Sequence, residues 1–371
     1  MNELFITCPD KIEPLLIQEL NSLGIDGVRT GHHGVFAPKS IENVYKINYC
    51  SRIATRVLWP LAQFRCLDKD ALYTASKAIP WLDFLDEKKT FAIDSNVTHP
   101  NIRNSLYGAQ VMKDGLCDHI REQLGERPSV DIRNPDVQLN LHIHNNAGVI
   151  SFDTSGAPLF KRGWRTLSSS ASIQETLAAA ILAHAGYTSE MIFCDPFCGS
   201  GTFLIEAALI ATQTPPGMFR KTWGFVHLPE HNEVVWNAFK SEKDGMRIPL
   251  KQGSIFGADQ DFEAVNIAKT HLQNIGLSDE ILIEKSDIIR YKPKASPTLV
   301  ISNPPFGKRL DTSEEVYRQL GQFLKRACQP PAKAYVLAPN SELMKEVAFP
   351  IQSTLPLMHG GLRIAVYRLK I

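Results

Sequence analysis

Cys194-Asp195-Pro196-Phe197-Cys198-Gly199-Ser200-Gly201-Thr202 decides the fold. A short apolar run, Met191–Cys194, precedes it, and an apolar helical pattern, Thr202–Ala211, follows. This reads as strand, tight glycine turn, helix. The glycines let the backbone approach a ligand, and the helix N-terminus offers free N–H groups to a negative one. Two familiar loops of this shape are excluded. A Walker loop needs Lys where Gly201 stands. A dinucleotide fingerprint needs a third glycine and an acid about 20 residues on, and no Asp or Glu occurs between Glu206 and Glu230. A plain strand-to-helix turn would explain the glycine pair if it stood alone.

Downstream the same alternation continues. Ser254–Asp259 reads as a strand and Phe262–Ile275 as a helix. Ile281–Ser286 and Thr298–Ser302 are strands, Ser313–Ala327 a helix and Ala334–Ala338 a strand. Ile351–Met358 and Leu362–Leu369, split by Gly360-Gly361, form a closing antiparallel hairpin. With a helix over Ile173–Ala185 before the glycine loop, this predicts an α/β domain with a doubly wound parallel sheet. Residues 154–172 read as a linker and 213–252 as irregular. The first half is mixed α+β. Leu4–Thr7 is a strand, Ile12–Leu23 a helix, Val28–Ala37 a hairpin, Asn43–Cys50 a helix and Ile53–Phe64 a strand broken at Pro60. Ile102–Leu124 is the longest helical pattern, and Val137–His144 and Ala147–Asp153 alternate about a turn at Asn145-Asn146.

Composition sets the outer limits. The 371 residues are 44% hydrophobic and 21% charged, an ordinary globular balance long enough for two or three domains. The net charge is +1, with 16 basic and 19 acidic residues in 1–155 and 24 and 20 in 156–371. RNA binding would therefore act through local patches rather than a bulk field. The N-terminus has no basic start leading into an apolar stretch, and no run approaches membrane length, so neither a secretory signal nor a membrane partner is expected. Seven cysteines without a C-x-x-C pair fit a reduced, cytoplasmic setting rather than a disulfide framework.

Three further segments bear on chemistry. Asp259, in Gly257-Ala258-Asp259, ends a strand, and its two oxygens suit a ribose diol; a helix N-cap is the plainer account. Asp287 ends the next strand. Asn303, in Ile301-Ser302-Asn303-Pro304-Pro305-Phe306-Gly307, ends another. Two prolines fix the backbone and remove two donors, leaving the Asn303 side-chain oxygen and the Pro304 carbonyl as acceptors for both hydrogens of an exocyclic amine. Phe306 is placed to stack on a flipped base. Lys308 and Arg309 could pair with its phosphate, or be a solvated charge pair. Lys161, Arg162 and Arg165 around Trp164, and Arg220, Lys221 and Trp223, are basic–aromatic clusters that suit RNA or internal docking. His142 and His144 share a strand face but lack a third ligand at recognisable spacing, so no metal is expected.

Together these residues resemble the THUMP-domain class I methyltransferases that use S-adenosylmethionine, in particular the ribosomal-RNA guanine-N2 enzymes. The DPFCGSGT loop resembles that family's methionine-end loop, Asp259 its ribose acid, Asp287 the residue near the adenine amine, and Asn303-Pro304-Pro305-Phe306 its catalytic tetrapeptide. Phe160-Lys161-Arg162-Gly163-Trp164-Arg165 and Gln174-Glu175-Thr176-Leu177 resemble the segment entering the catalytic domain. Val111-Met112-Lys113-Asp114, Arg127-Pro128 and Asp153-Thr154-Ser155-Gly156 are similar to THUMP landmarks.

The resemblance implies a ferredoxin-like segment at 1–53, a THUMP RNA-binding domain at 54–155 and a Rossmann-like methyltransferase domain at 156–371. It implies S-adenosylmethionine bound by Asp195, Phe197, Cys198, Gly199, Gly201, Asp259, Gln260, Asp287, Ile288 and Asn303. Catalysis falls to Asn303, Pro304 and Phe306, and RNA contact to Lys161, Arg162, Lys308 and Arg309. The implied reaction is methylation of guanine N2 in 23S rRNA. The best-known rRNA members carry a second methyltransferase domain after the position of Ile371, and related single-domain enzymes act on tRNA. The tetrapeptide is shared with N6-adenine methyltransferases, so tRNA guanine and adenine are the alternatives. A protein that binds RNA through an inactive methyltransferase fold is the non-enzymatic one.

Overall fold

The computed structural model describes residues 2–167, 172–305 and 310–371. It divides into two compact units, Met1–Cys8, Ile17–Leu159 and Lys221–Lys240 forming one, and Pro9–Leu16, Phe160–Arg220 and Ser241–Ile371 the other.

In chain order the first half carries β1 (Glu3–Thr7), α1 (Glu13–Ser22), β2 (Arg29–Gly31), β3 (Gly34–Pro38), α2 (Ile41–Cys50), β4 (Arg56–Arg65), α3 (Lys69–Lys77), β5 (Thr90–Thr98), α4 (Ser105–Leu124), β6 (Ser129–Val130), β7 (Val137–His144) and β8 (Ala147–Asp153). All eight strands form one sheet, ordered β2-β3-β1-β4-β8-β7-β5-β6. β4 is the shared strand. It pairs with β1 from Phe5↔Leu58 to Thr7↔Arg56 and with β8 from Leu58↔Asp153 to Arg65↔Ala147. Pro60, expected to break this strand, sits at a bulge between Pro60 and Ala62, where its missing N–H is tolerated.

α3 and β5 were not legible in the sequence. β5 carries Asp94, Ser95 and Asn96, yet pairs with β7 along its length from Phe91↔Val137 to Thr98↔His144. Backbone pairing and a period-two face both hold it, with Phe91, Ile93, Ser95 and Val97 buried or half-buried and Asp94, Asn96 and Thr98 exposed.

The second half carries α5 (Glu175–Ala185), β9 (Phe193–Asp195), α6 (Thr202–Ala211), α7 (Glu233–Gly245), β10 (Ile255–Asp259), α8 (Phe262–Ile275), β11 (Leu282–Lys285), β12 (Leu299–Ser302), α9 (Leu310–Ala327), β13 (Lys333–Ala338), α10 (Ser341–Val347), β14 (Ile351–His359) and β15 (Leu362–Lys370). The seven strands run β11-β10-β9-β12-β13-β15-β14. β11 to β13 are parallel, and β15 and β14 close the sheet antiparallel. The order reverses between β9 and β12, which makes a crevice at the strands' carboxyl ends. α5 and α6 are buried almost all round, as their unbroken apolar runs require.

Two expectations are corrected. Residues 213–252 contain a helix, α7, whose exposed Val234 and Val235 break the usual apolar stripe. Trp223 is buried in an aromatic cluster with Phe225, Trp236, Tyr45 and Tyr49, with ring centroids 4.9–6.2 Å apart. The Tyr45 hydroxyl accepts from the Asn232 N–H at 2.9 Å. That ring has no open face for a base. Gly224 fits because a Cβ there would lie 2.3 Å from the Asp153 carbonyl oxygen.

Candidate functional site

The loop after β9 turns on Gly199 (φ +50°) and Gly201 (φ +82°), both in the left-handed region that glycine occupies without strain. The Cys198 N–H donates to the Ala258 carbonyl at 2.9 Å, latching the loop to β10. Gly257 makes that approach possible, since a Cβ there would lie 2.5 Å from Leu204 Cδ1 and 3.2 Å from Cys198 Cβ. Cys198 is buried and its thiol is held well above the ordinary range, first by burial and then by Asp195 and Asp259. Phe197 is half-buried against the sheet's core. Gly201 opens α6 without any side-chain cap, so the first amides of the helix have no local side-chain acceptor.

The acids gather where the topology sends them. Asp195 is buried, its Oδ1 accepts from the Phe197 N–H at 3.1 Å, and burial with the nearby Asp259 pushes its carboxyl up to about 8. Asp259 Oδ2 accepts from the Gly199 N–H at 2.9 Å and Oδ1 from the Asp261 N–H at 3.0 Å. Asp259 is not the cap of α8. That role belongs to Asp261, which accepts from the Glu263 N–H. The Asp259 carbonyl receives the Ser286 N–H at 2.9 Å, bringing the β11 turn alongside. There Asp287 is exposed and accepts from the Ile289 N–H at 2.8 Å, whereas Ile288 is buried and Gln260 is exposed. Arg326 of α9 holds this turn by donating to the Ile288 and Tyr291 carbonyls at 2.9 and 3.2 Å. Sequence reasoning missed Arg326, because its partners lie 38 and 35 residues away.

Asn303 follows β12, next to β9 in the sheet. Its Oδ1 is buried and has no hydrogen-bond partner among the described residues. A buried acceptor left unpaired costs about 1–3 kcal/mol, so it marks a place where a donor is missing. Pro304 is buried and Pro305 exposed. Phe306, Lys308 and Arg309 lie outside the described residues.

The segment entering this unit behaves differently from the RNA-contact expectation. Lys161 is exposed. Arg162 is 1% exposed and pairs with Glu206 of α6, Nε to Oε1 at 3.2 Å and Nη2 to Oε2 at 3.4 Å. A guanidinium held inside the unit cannot reach a phosphate, so Arg162 is corrected to an internal role. Trp164 is 1% exposed with its ring 5.3 Å from that of His271. Arg165 donates from Nε to Glu175 Oε1 at 2.6 Å, from Nη1 to Ser200 Oγ at 3.1 Å and from Nη2 to Thr202 Oγ1 at 2.7 Å. Arg220 donates from Nη1 to the Lys161 carbonyl at 2.9 Å. His142 and His144 lie exposed on β7, and neither belongs to a trio of metal-capable side chains among the described residues.

In the first unit a cavity of about 520 Å³ opens against α3 and α4. Lys69, Tyr73, Tyr107, Arg121 and Arg127 are among its lining side chains. Arg127, with Val111 and Asp114 of the same lining, falls in the segments that resemble THUMP landmarks, whereas Lys69, Tyr73, Tyr107 and Arg121 have no such signal.

Sheet order, glycine loop after β9, acid after β10 and asparagine after β12 define the class I methyltransferase fold, preceded by an α+β ferredoxin-like and THUMP region. The chain belongs to the RMKL-like methyltransferase domain family, which it matches over residues 162–352. It also matches the THUMP domain over 66–153 and the RlmL ferredoxin-like domain over 3–58. The ribosomal RNA large subunit methyltransferase K/L of Syntrophotalea carbinolica is 35% identical over 97% of this chain and 52% of its own length. A provisionally named RNA methyltransferase of Synechocystis, slr0064, is 33% identical over 96% of this chain and 94% of its own. The chain thus spans about half the length of the K/L relative and nearly all of slr0064. The crystal structure of SMU.472, a provisionally named methyltransferase complexed with SAH, superposes with a TM-score of 0.87 at 25% identity, covering 99% of this chain and 97% of that one. No described helix is long and apolar enough to cross a membrane.

Proposed function

We propose that this chain is an S-adenosylmethionine-dependent RNA methyltransferase that transfers a methyl group to the exocyclic N2 of a guanine in 23S rRNA, in the cytoplasm. The observation that carries it is the buried Asn303 Oδ1, without a partner among the described residues, together with a glycine loop that leads into a helix whose N-terminus has no side-chain cap. The residues fit the cofactor. Asp195, Phe197, Cys198, Gly199 and Gly201 would surround its amino-acid end, Asp259 and Gln260 its ribose, and Asp287 and Ile288 its adenine, with Asn303 at the reacting end.

S-adenosylmethionine, when bound, supplies an electrophilic methyl on a sulfonium whose departure needs no acid. The chain's own task is orientation. The Asn303 Oδ1 and Pro304 carbonyl accept the two hydrogens of the amine and turn its lone pair outward. The amine proton is lost to water after transfer, so no general base is assigned. Lys161 remains an exposed candidate for phosphate contact, and Lys69 and Arg127 are further exposed candidates in the first unit, in a cavity that Asp70, Asp114 and Asp118 also line and where Arg121 pairs with Asp118. The division into 1–53, 54–155 and 156–371 is kept as a functional one: two RNA-facing segments and one catalytic domain.

The test offers labelled S-adenosylmethionine and protein to rRNA, tRNA and genomic DNA from cells lacking the gene, then identifies the labelled nucleoside. N2-methylguanosine in 23S rRNA, lost in Asn303→Ala, is expected. The same nucleoside in tRNA would change the substrate, and label on adenine would overturn the base. Cofactor binding without label in any pool would point to an assembly intermediate as substrate, and no cofactor binding would sink the enzymatic reading.

A further inference from the structure

We propose that Arg165 is a positioning residue that sets the β9–α6 loop for the carboxylate of the cofactor's amino-acid end. The proposal rests on the cofactor reading above. One planar guanidinium reaches three points at once: Glu175 in the first turn of α5, Ser200 in the middle of the loop, and Thr202 at the first residue of α6, at 2.6, 3.1 and 2.7 Å. Lysine has no rigid fork that could span them. The loop needs such a restraint. Gly199 and Gly201 give it the required turn, but glycines leave a backbone with more freedom to lose on ordering. Ser200, flanked by them, is also held through its Oγ by Ser172 at 2.7 Å and through its carbonyl by His271 Nδ1 at 3.1 Å.

The electrostatics give the restraint a direction. A cation beside a helix N-terminus opposes the helix dipole, so Arg165 is not there to stabilise α6. Glu175, with a side chain only 5% exposed, offsets part of the charge. Arg165 keeps a side-chain exposure of 19% and stands beside amides that no side chain caps. Both features favour an anion at the loop, and the cofactor's one anionic group is its carboxylate. Arg165 therefore acts through Ser200 and Thr202 on one end of the ligand and leaves the adenosine end to Asp259 and the β11 turn.

Two ligands separate this from a general structural role. S-adenosylhomocysteine carries the amino-acid end, and 5′-methylthioadenosine lacks it. Binding of each is measured by titration calorimetry on the full chain for the wild type, Arg165→Met and Arg165→Lys, alongside thermal unfolding. Loss of charge-assisted bonds of this kind is worth roughly tenfold or more in affinity. Expected is a tenfold or greater weakening for S-adenosylhomocysteine in Arg165→Met, a smaller one in Arg165→Lys, and methylthioadenosine binding within about twofold of wild type in both. Equal weakening for both ligands, or none for either, would overturn the assignment; should Arg165→Met not fold, Arg165→Lys decides by the same comparison. A wild type that binds neither ligand overturns the cofactor reading itself.

Discussion

Arg162 and Glu206 offer the sharpest test of how this fold should be read. The pair is side-on and bidentate, at 3.2 and 3.4 Å, with side chains 2% and 0% exposed. Removing one partner leaves the other charge buried without its counter-ion, which costs about 3–5 kcal/mol. At roughly 2–4 °C per kcal/mol for a unit of this size, Arg162→Met should lower the unfolding transition by about 6–20 °C. The double variant Arg162→Met/Glu206→Leu replaces both charges with apolar volume and should recover most of that loss. Thermal and urea unfolding of the intact chain measure this, with hydrogen exchange of the α6 amides identifying the transition that moves. RNA binding supplies an independent check. Each phosphate contact contributes about 0.7–0.9 to the slope of log affinity against log salt. Lys161→Ala should reduce that slope by about this amount, and the folded double variant should leave it unchanged. A double variant as unstable as the sum of the singles, or one with a reduced slope, would refute the reasoning.

Asp259→Ala should abolish binding of S-adenosylhomocysteine, measured by calorimetry, because it removes the proposed ribose acceptor and the partner of the Gly199 N–H together. Asp195, with its carboxyl pushed up to about 8, keeps a proton in the native state that the unfolded chain releases near its ordinary value. Its contribution is therefore fully present at low pH and is lost as pH rises towards about 8. Urea titrations between pH 5 and 9 should show Asp195→Asn gaining on the wild type as pH rises; a constant difference would discard that account. Gly257→Ala places a Cβ 2.5 Å from Leu204 Cδ1 and should cost about 1–3 kcal/mol by chemical unfolding, with weaker cofactor binding as the Cys198 loop is displaced.

The residues that were legible share one property: their meaning is local. A strand, two glycines and an apolar run specify β9, the loop and α6, and the boundaries Thr202–Ala211 and Phe262–Ile275 match the structure residue for residue. Asp259 and Asn303 were readable because a strand's end is marked in sequence. The elements that escaped have an apolar period that is interrupted or short. β5 interrupts its alternating face of Phe91, Ile93 and Val97 with Ser95, α7 exposes two valines, and α3 and α10 are short.

Charge was the least legible signal, for a related reason. Lys161, Arg162 and Arg165 look equivalent within five residues, yet one is exposed, one faces Glu206 from 44 positions away, and one braces a loop 35 positions on. What separates them is which counter-charge the fold delivers, and that depends on how α5 and α6 pack beside β9. Once both are placed, Arg162 and Arg165 become part of the frame around the β9–α6 loop. The nucleic-acid contacts then have to be sought at exposed cations such as Lys161, Lys69 and Arg127, whereas Arg121 in the same α3/α4 cavity already pairs with Asp118 at 2.6 Å.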